Sequence, residues 1–181
     1  MRTNKSPLAG VALMLVTATA IGMPANEKAS GAMAFDQLKT LVGEWEGRDN
    51  SGPAKITYTL VSGGTALMER LQPAKDAEMI TMYSADGDRI LATHYCSQGN
   101  QPAMKSESLT GTTNKYSFSL VSVSGLKTPD EGHMVGLVLT VVDKDHLTQE
   151  WIYQDKGKTS TEVFQYKRKP EKTATVVAPG N

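Results

Sequence analysis

Residues 89–102 read Arg-Ile-Leu-Ala-Thr-His-Tyr-Cys-Ser-Gln-Gly-Asn-Gln-Pro, and the first eight of them alternate in character. Side chains of a strand alternate between two faces. One face would carry Ile90, Ala92, His94 and Cys96, and the other Arg89, Leu91, Thr93 and Tyr95. The pattern predicts a strand from Arg89 to Cys96, followed by a loop over residues 97–102. Ile, Ala and Cys prefer the interior, so we expect the His94 face to point inward, although Leu91 and Tyr95 favour the opposite arrangement.

The rest of the chain after residue 43 repeats this design, with alternating segments separated by short turns rich in Gly, Pro, Asp and Asn. We predict ten strands, at Glu44–Arg48, Lys55–Val61, Thr65–Leu71, Met79–Ser84, Arg89–Cys96, Met104–Thr110, Lys115–Val123, His133–Val142, His146–Gln154 and Thr159–Arg168. Apolar residues at helical spacing predict one short helix before them, from Ala34 to Val42. The predicted fold is therefore all-β, an antiparallel up-and-down barrel, because closure removes the exposed edges of a long meander.

The first residues have the character of an export signal. Met1 to Pro7 carries Arg2 and Lys5 and no acid, and an apolar run from Leu8 to Gly22 follows. A basic start, a short apolar run and a small-residue exit are typical of a secretory signal peptide. We predict a signal peptide over residues 1–25, a disordered lead-in over 26–32, a barrel domain over 33–169 and a disordered tail over 170–181. The expected location is periplasmic or secreted, without stable membrane insertion after cleavage.

Composition narrows the classes of function. The chain has 19 basic and 19 acidic residues, and this balance argues against nucleic-acid binding, which normally needs a basic patch. Cys96 is the only cysteine, so the chain forms no internal disulfide. In an exported protein, a single thiol is either buried or functional.

The opening of the predicted barrel carries a family resemblance. Gly43–Glu44–Trp45, directly after a short helix, resembles the Gly-x-Trp signature of lipocalins and related calycins. The segment from Phe35 to Lys169 also resembles an uncharacterised family of secreted bacterial calycin-like proteins. That resemblance is carried by Phe35–Trp45, Ser62–Thr65, Thr93–Cys96 and Gly99–Pro102, although Ala103 stands where the family often has an arginine.

The resemblance implies a fold and a cavity, and it implies no established activity. In calycins the tryptophan lies at the closed end of the barrel under a basic side chain from late in the chain. Arg168 or Lys167 would take that part here.

The candidate site centres on His94 and Cys96, which share a strand face and lead into a polar loop. A loop at a barrel mouth can supply amide groups beside an imidazole, so we predict His94, Cys96, Asn100 and Gln101 as ligand-binding residues. Four alternatives remain open for the pair: a histidine hydrogen-bonded within the core beside a small buried cysteine, a haem or metal ligand, a cysteine nucleophile, or part of a barrel without a cavity. Further imidazoles for a metal could come only from His133 and His146.

Charged residues within the strands are expected to face water, with the lining of a polar cavity inside the barrel as the alternative. These are Glu69, Arg70 and Glu150. The expected function is non-enzymatic binding of a small, mostly apolar molecule inside the barrel. The alternatives are a haem- or metal-linked barrel that uses His94, and an enzyme acting on a small hydrophobic substrate. The sequence specifies no catalytic residue, no metal site, no particular cofactor and no oligomeric state.

Overall fold

The structure is a computed structural model that describes residues 30–49, 51–110 and 113–170. The predicted signal peptide, most of the predicted lead-in and residues 171–181 lie outside the described residues. Helix α1 spans Ser30–Leu38 and continues into a single 3-10 turn at Lys39–Leu41. No helix among the described residues is long and apolar enough to cross a bilayer.

The described residues then form ten strands. They are β1 (Gly43–Arg48), β2 (Pro53–Val61), β3 (Ala66–Pro73), β4 (Met79–Asp86), β5 (Arg89–Tyr95), β6 (Gln101–Ser106), β7 (Lys115–Ser124), β8 (His133–Val141), β9 (His146–Asp155) and β10 (Lys158–Arg168). Each strand pairs antiparallel with the next along the chain, and β1 pairs with β10 to close a single barrel. The predicted fold class is confirmed.

Helix α1 begins four residues before the predicted start at Ala34, so part of the predicted lead-in is helical. Gly31 lies on its buried face and packs against the β4–β5 turn. A Cβ atom at Gly31 would lie 2.6 Å from the carbonyl oxygens of Gly87 and Arg89. Glycine weakens a helix in isolation, so this first turn is stabilised by a tertiary contact that hydrophobic periodicity does not register.

Strand β6 also differs from its predicted bounds, since it begins at Gln101 and not at Met104. Residues 101 and 102, expected in the loop, therefore belong to the strand. Proline lacks an amide hydrogen and is tolerated near strand ends. Pro102 is the second residue of β6, and it has no partner on β5, because β6 pairs with β5 only from Ala103 to Lys105.

The end of the barrel beside α1 is closed around Trp45. The indole is fully buried, and its Nε1 donates to the Leu41 carbonyl oxygen at 2.9 Å. The Arg168 guanidinium lies 4.1 Å from the centre of the indole ring and donates to the carbonyl oxygens of Val42, at 2.8 Å, and Thr40, at 2.7 Å. Trp45 is therefore covered by a basic residue from the last strand, as the Gly-x-Trp pattern predicts, and that residue is Arg168.

The opposite end of the barrel carries the other set of strand connections. Their described residues are 49, 51–52, 74–78, 96–100, 125–132 and 156–157. The C-terminal ends of β3, β5 and β9 and the N-terminal ends of β4, β6, β8 and β10 all lie here. The loop that the sequence singles out therefore belongs to the end opposite Trp45.

Candidate functional site

Strand β5 turns its His94 face into the barrel. Ile90, Ala92 and His94 are buried, whereas Leu91 is 36% and Tyr95 is 48% exposed. The alternative orientation, with Leu91 and Tyr95 inside, is excluded. Cys96 follows the strand on the inward side and is half-buried.

Cys96 lines an open pocket of about 420 Å³ at the end of the barrel opposite Trp45. This mouth pocket is formed by Asp76, Met79, Cys96, Ser97, Gln98, Met134, Tyr153, Ser160, Thr161 and Glu162. Its volume is in the range of small-molecule sites, about 300–1,000 Å³. Sequence reasoning found Cys96 but missed the contributions of β4, β8, β9 and β10 to the pocket, because no local pattern indicates which strands meet at a barrel end.

Asn100 is buried, and its hydrogen bonds connect the loops around the pocket. Its Nδ2 donates to the Gly132 carbonyl oxygen at 2.9 Å, which joins the β5–β6 and β7–β8 loops. Its backbone oxygen accepts from the Cys96 amide at 3.1 Å. The side-chain amide of Gln101 also makes hydrogen bonds within the protein. Its Nε2 donates to the Gly99 carbonyl oxygen at 2.9 Å, and its Oε1 accepts from the Ser124 hydroxyl at 3.0 Å. Asn100 and Gln101 thus fix the loop beside the pocket, and their contact with a ligand stays a prediction.

A second layer of side chains lies below the mouth pocket. On β4, β5 and β9, the pocket residues Met79, Cys96 and Tyr153 are each followed, two positions deeper on the same face, by Thr81, His94 and Trp151. We call these three the lower layer. Thr81 Oγ1 and His94 Nδ1 are 3.0 Å apart, and the His94 and Trp151 ring centres are 4.6 Å apart.

His94 is 1% exposed, and among the described residues its Nε2 has no hydrogen-bond partner. Burial lowers the pKa of His94 to about 4, so the imidazole is neutral at neutral pH. Most buried polar atoms have a partner, and one without a partner needs an explanation. Within the predicted set, His94 Nε2 and Asn100 Oδ1 are both buried atoms of this kind.

Glu69 lies in the interior and not, as expected, on the solvent face. Its Oε2 accepts hydrogen bonds from the Tyr58 hydroxyl at 2.7 Å, the Tyr83 hydroxyl at 3.0 Å and the Gln149 amide at 2.7 Å. Burial raises the pKa of Glu69, and these three hydrogen bonds oppose the shift. The expectation failed because it was based on charge alone. The alternation of Leu67, Glu69 and Leu71 already placed Glu69 on an apolar face.

The other two charged strand residues are less buried. Arg70 is exposed, as expected, and its Nη2 lies 2.8 Å from Glu78 Oε1. Glu150 is half-buried. Glu69 is thus the only one of the three whose side chain is fully enclosed.

The polar cluster continues from Glu69 to the lower layer. Gln149 Oε1 accepts from Trp151 Nε1 at 3.1 Å, and the Trp151 ring packs on His94. One connected set of polar side chains therefore extends from the centre of the barrel to the base of the mouth pocket.

Acidic groups lie at the rim. Burial, together with a hydrogen bond and the negative charge of Asp49, raises the pKa of Glu162 to about 7, and the charge of Asp76 adds to the effect. Asp49 also accepts from the amides of Ser51, at 2.9 Å, and Gly52, at 2.8 Å. Asp76 and Glu162 line the mouth pocket, so its rim has acidic character.

The three imidazoles do not meet. His133 begins β8 at the mouth end, where its Nδ1 lies 2.7 Å from the Glu131 carbonyl oxygen. His146 begins β9 at the opposite end, with Nδ1 2.9 Å from Asp143. The described residues contain no group of three or more His, Cys, Asp or Glu side chains placed to hold a metal ion.

Two further facts bear on the haem and nucleophile alternatives at His94. Its Nε2 is fully enclosed, so any bound group, an iron included, reaches it only after neighbouring side chains move. Its Nδ1 contacts Thr81 and not the Cys96 thiol. Both alternatives stay predictions.

The fold and these contacts define a closed ten-stranded antiparallel barrel with a buried polar cluster below an open pocket. No family model matches the chain, and no curated protein matches it. Among solved structures, it is similar to a protein of unknown function from the DUF3598 family of Nostoc punctiforme PCC 73102, with a TM-score of 0.50 and 15% identity. The similarity covers 73% of this chain and 48% of that protein, so the chain spans about half of its length. At this identity the similarity concerns the fold alone.

Proposed function

We propose that this chain is an exported, calycin-like barrel that binds a small, mostly apolar molecule through its mouth pocket and catalyses no reaction. The observation that carries the proposal is the pocket itself, which lies over a buried histidine with an unpartnered ring nitrogen. Such a nitrogen can gain a partner from a bound molecule without losing an existing contact.

One part of the pocket wall suits an apolar body, although six of its ten lining residues are polar or charged. Met79, Met134 and Tyr153 contribute to the lining. Methionine is unbranched and polarisable, and it adapts to ligands of irregular shape. The interior below is filled by large buried side chains, among them Trp151, Tyr58 and Tyr83. The ligand therefore occupies the mouth end of the barrel and not its full length.

Two features support the calycin-like assignment and the exported location. Gly43–Glu44–Trp45 begins β1 at the closed end, and Arg168 covers the indole, which is the arrangement expected for that family. The export proposal rests on the sequence of residues 1–25. Recovery of a chain lacking these residues from the periplasm or medium would support it, and an intact chain in the cytoplasm would contradict it.

The single thiol allows a direct test of the pocket. N-phenyl-1-naphthylamine, a neutral apolar probe, should bind saturably with a rise in fluorescence. It should also slow maleimide labelling of Cys96 several-fold, because Cys96 lines the pocket.

The matched control is the double variant Cys96→Ser/Tyr95→Cys. Tyr95 is the adjacent residue, but it is 48% exposed on the outer face. Labelling at position 95 should be unaffected by the probe. Absence of saturable binding, or equal slowing at both positions, would contradict binding at the mouth.

A further inference from the structure

The unpartnered His94 Nε2 can be assigned a chemical role from the contacts of the other ring nitrogen. A neutral imidazole carries one N–H and one lone pair, so the group bound at Nδ1 determines what Nε2 offers. At Nδ1 that group is the Thr81 hydroxyl, 3.0 Å away. A hydroxyl can donate or accept, so the surroundings of Nε2 decide which nitrogen carries the hydrogen.

His94 Nε2 is buried and has no partner among the described residues. With the hydrogen on Nδ1, the ring donates to Thr81 Oγ1, and Nε2 keeps a free lone pair. The opposite tautomer would bury an N–H group without an acceptor, which is rarer in folded proteins than an unsatisfied acceptor. Thr81 thus acts as a positioning residue that sets the tautomer of His94.

We infer that His94 Nε2 accepts a hydrogen bond from the bound molecule, so that the ligand is a small amphipathic compound whose buried end carries a hydroxyl or N–H group. This inference rests on the proposed function, because it assumes that a molecule enters the mouth pocket. The acidic rim residues Asp76 and Glu162 also favour a ligand that donates hydrogen bonds over one that carries a carboxylate.

The path from the pocket to His94 is short. Cys96 lines the pocket, and His94 is the next inward residue of the same strand. The ligand reaches Nε2 when the side chains above it shift, and the pocket contains two pliable residues, Met79 and Met134.

A pair of probes of similar shape tests the inference. 2-Naphthol has a hydroxyl donor, and 2-methoxynaphthalene has the same rings without it. In the wild-type protein we expect 2-naphthol to bind about tenfold more tightly, as one hydrogen bond to a buried acceptor allows. His94→Phe should remove this preference while both probes still bind. Equal affinity of both probes in the wild type would overturn the inference but leave the proposed function intact, whereas failure of both to bind would overturn both.

The tautomer can be measured without a variant. Nitrogen-15 chemical shifts of the His94 ring should show a protonated Nδ1 and an unprotonated Nε2 at neutral pH. Thr81→Val, which removes the hydroxyl, should shift the tautomer balance and reduce the naphthol preference, whereas Thr81→Ser should retain both. A protonated Nε2 in the wild-type protein would overturn the inference, as would a Thr81→Val variant with unchanged ring shifts.

Discussion

At the scale of the residue, His94 and Glu69 show how the barrel handles buried polar groups. Glu69 Oε2 has three hydrogen-bond donors, while Glu69 Oε1 and His94 Nε2 have none among the described residues. Burying an ionised group without compensation is costly. The pKa of His94 falls and the pKa of Glu69 rises for this reason, and each shift makes stability depend on pH.

For His94 the sign of this dependence is definite. Its pKa falls from 6.5 to about 4 on folding, so between these values the unfolded chain binds a proton that the folded protein does not. Stability should therefore fall as pH is lowered through this window, by about 2–3 kcal/mol at pH 4.5. Glu69 acts in the opposite direction, because its raised pKa favours the folded state at low pH.

Comparison of variants separates the two contributions. Urea unfolding at pH 7, 5.5 and 4.5 should show a smaller loss of stability on acidification for His94→Gln than for the wild type. Val142→Gln, which introduces the same side chain at an exposed position at the other end of the barrel and removes no titratable group, should keep the wild-type dependence. The same pH dependence in His94→Gln and the wild type would show that His94 is not buried in the neutral form.

At the scale of the element, helix α1 is defined by its docking on the β4–β5 hairpin. Its buried face consists of Gly31, Ala34, Phe35 and Leu38. The sequence pattern identified Phe35 and Leu38, began the helix at Ala34, and missed the turn that contains Gly31. That turn contributes through close backbone contact, for which a glycine is needed.

Gly31→Ala tests this account because helix propensity predicts a gain in stability and packing predicts a loss. Propensity alone would stabilise the helix by about 1 kcal/mol. The added Cβ would instead lie 2.6 Å from two backbone oxygens, so we expect destabilisation by about 1–3 kcal/mol in urea unfolding. Met33→Ala, on the exposed side of the same helix, should change stability by less than about 1 kcal/mol. A stabilised Gly31→Ala variant would mean that α1 does not dock as described.

At the scale of the whole molecule, stability depends on the seam where β10 returns to β1. Trp45 pairs with Arg168, and Gly47 with Tyr166. A Cβ at Gly47 would lie 2.1 Å from the Gln165 carbonyl oxygen and 2.5 Å from Tyr166 Cδ1. The two strands therefore approach each other closely at a point where a side chain has no room.

Gly47→Ala should weaken closure of the barrel. We expect a loss of about 1–3 kcal/mol in urea unfolding and faster amide hydrogen exchange in β1 and β10 than in β4 and β5. Glu46→Ala, at the neighbouring outward position, loses only an exposed ion pair with Lys169 and should cost less than about 1 kcal/mol. If Gly47→Ala and Glu46→Ala lose equal stability, the close approach of β1 and β10 at Gly47 does not limit the stability of the barrel.

The sequence alone determined the elements and their faces. Period-two alternation predicted all ten strands and the inward face of His94, because a strand that buries one face must alternate. Gly43–Glu44–Trp45 indicated the closed end, and the residues from Cys96 to Asn100 indicated the mouth. These predictions rely on local chemistry, which is visible in neighbouring residues.

Tertiary structure decided which side chains meet. The Glu69 cluster joins residues from β2, β3, β4 and β9, and the mouth pocket joins residues that are up to 86 positions apart, from Asp76 to Glu162. These contacts depend on strand register and barrel closure, so no spacing in the sequence encodes them. Glu69 was misassigned because its charge was given more weight than the alternation that places it with Leu67 and Leu71. The alternation indicates the inward face, but only the tertiary structure shows the three donors from other strands that supply the hydrogen bonds water would otherwise provide.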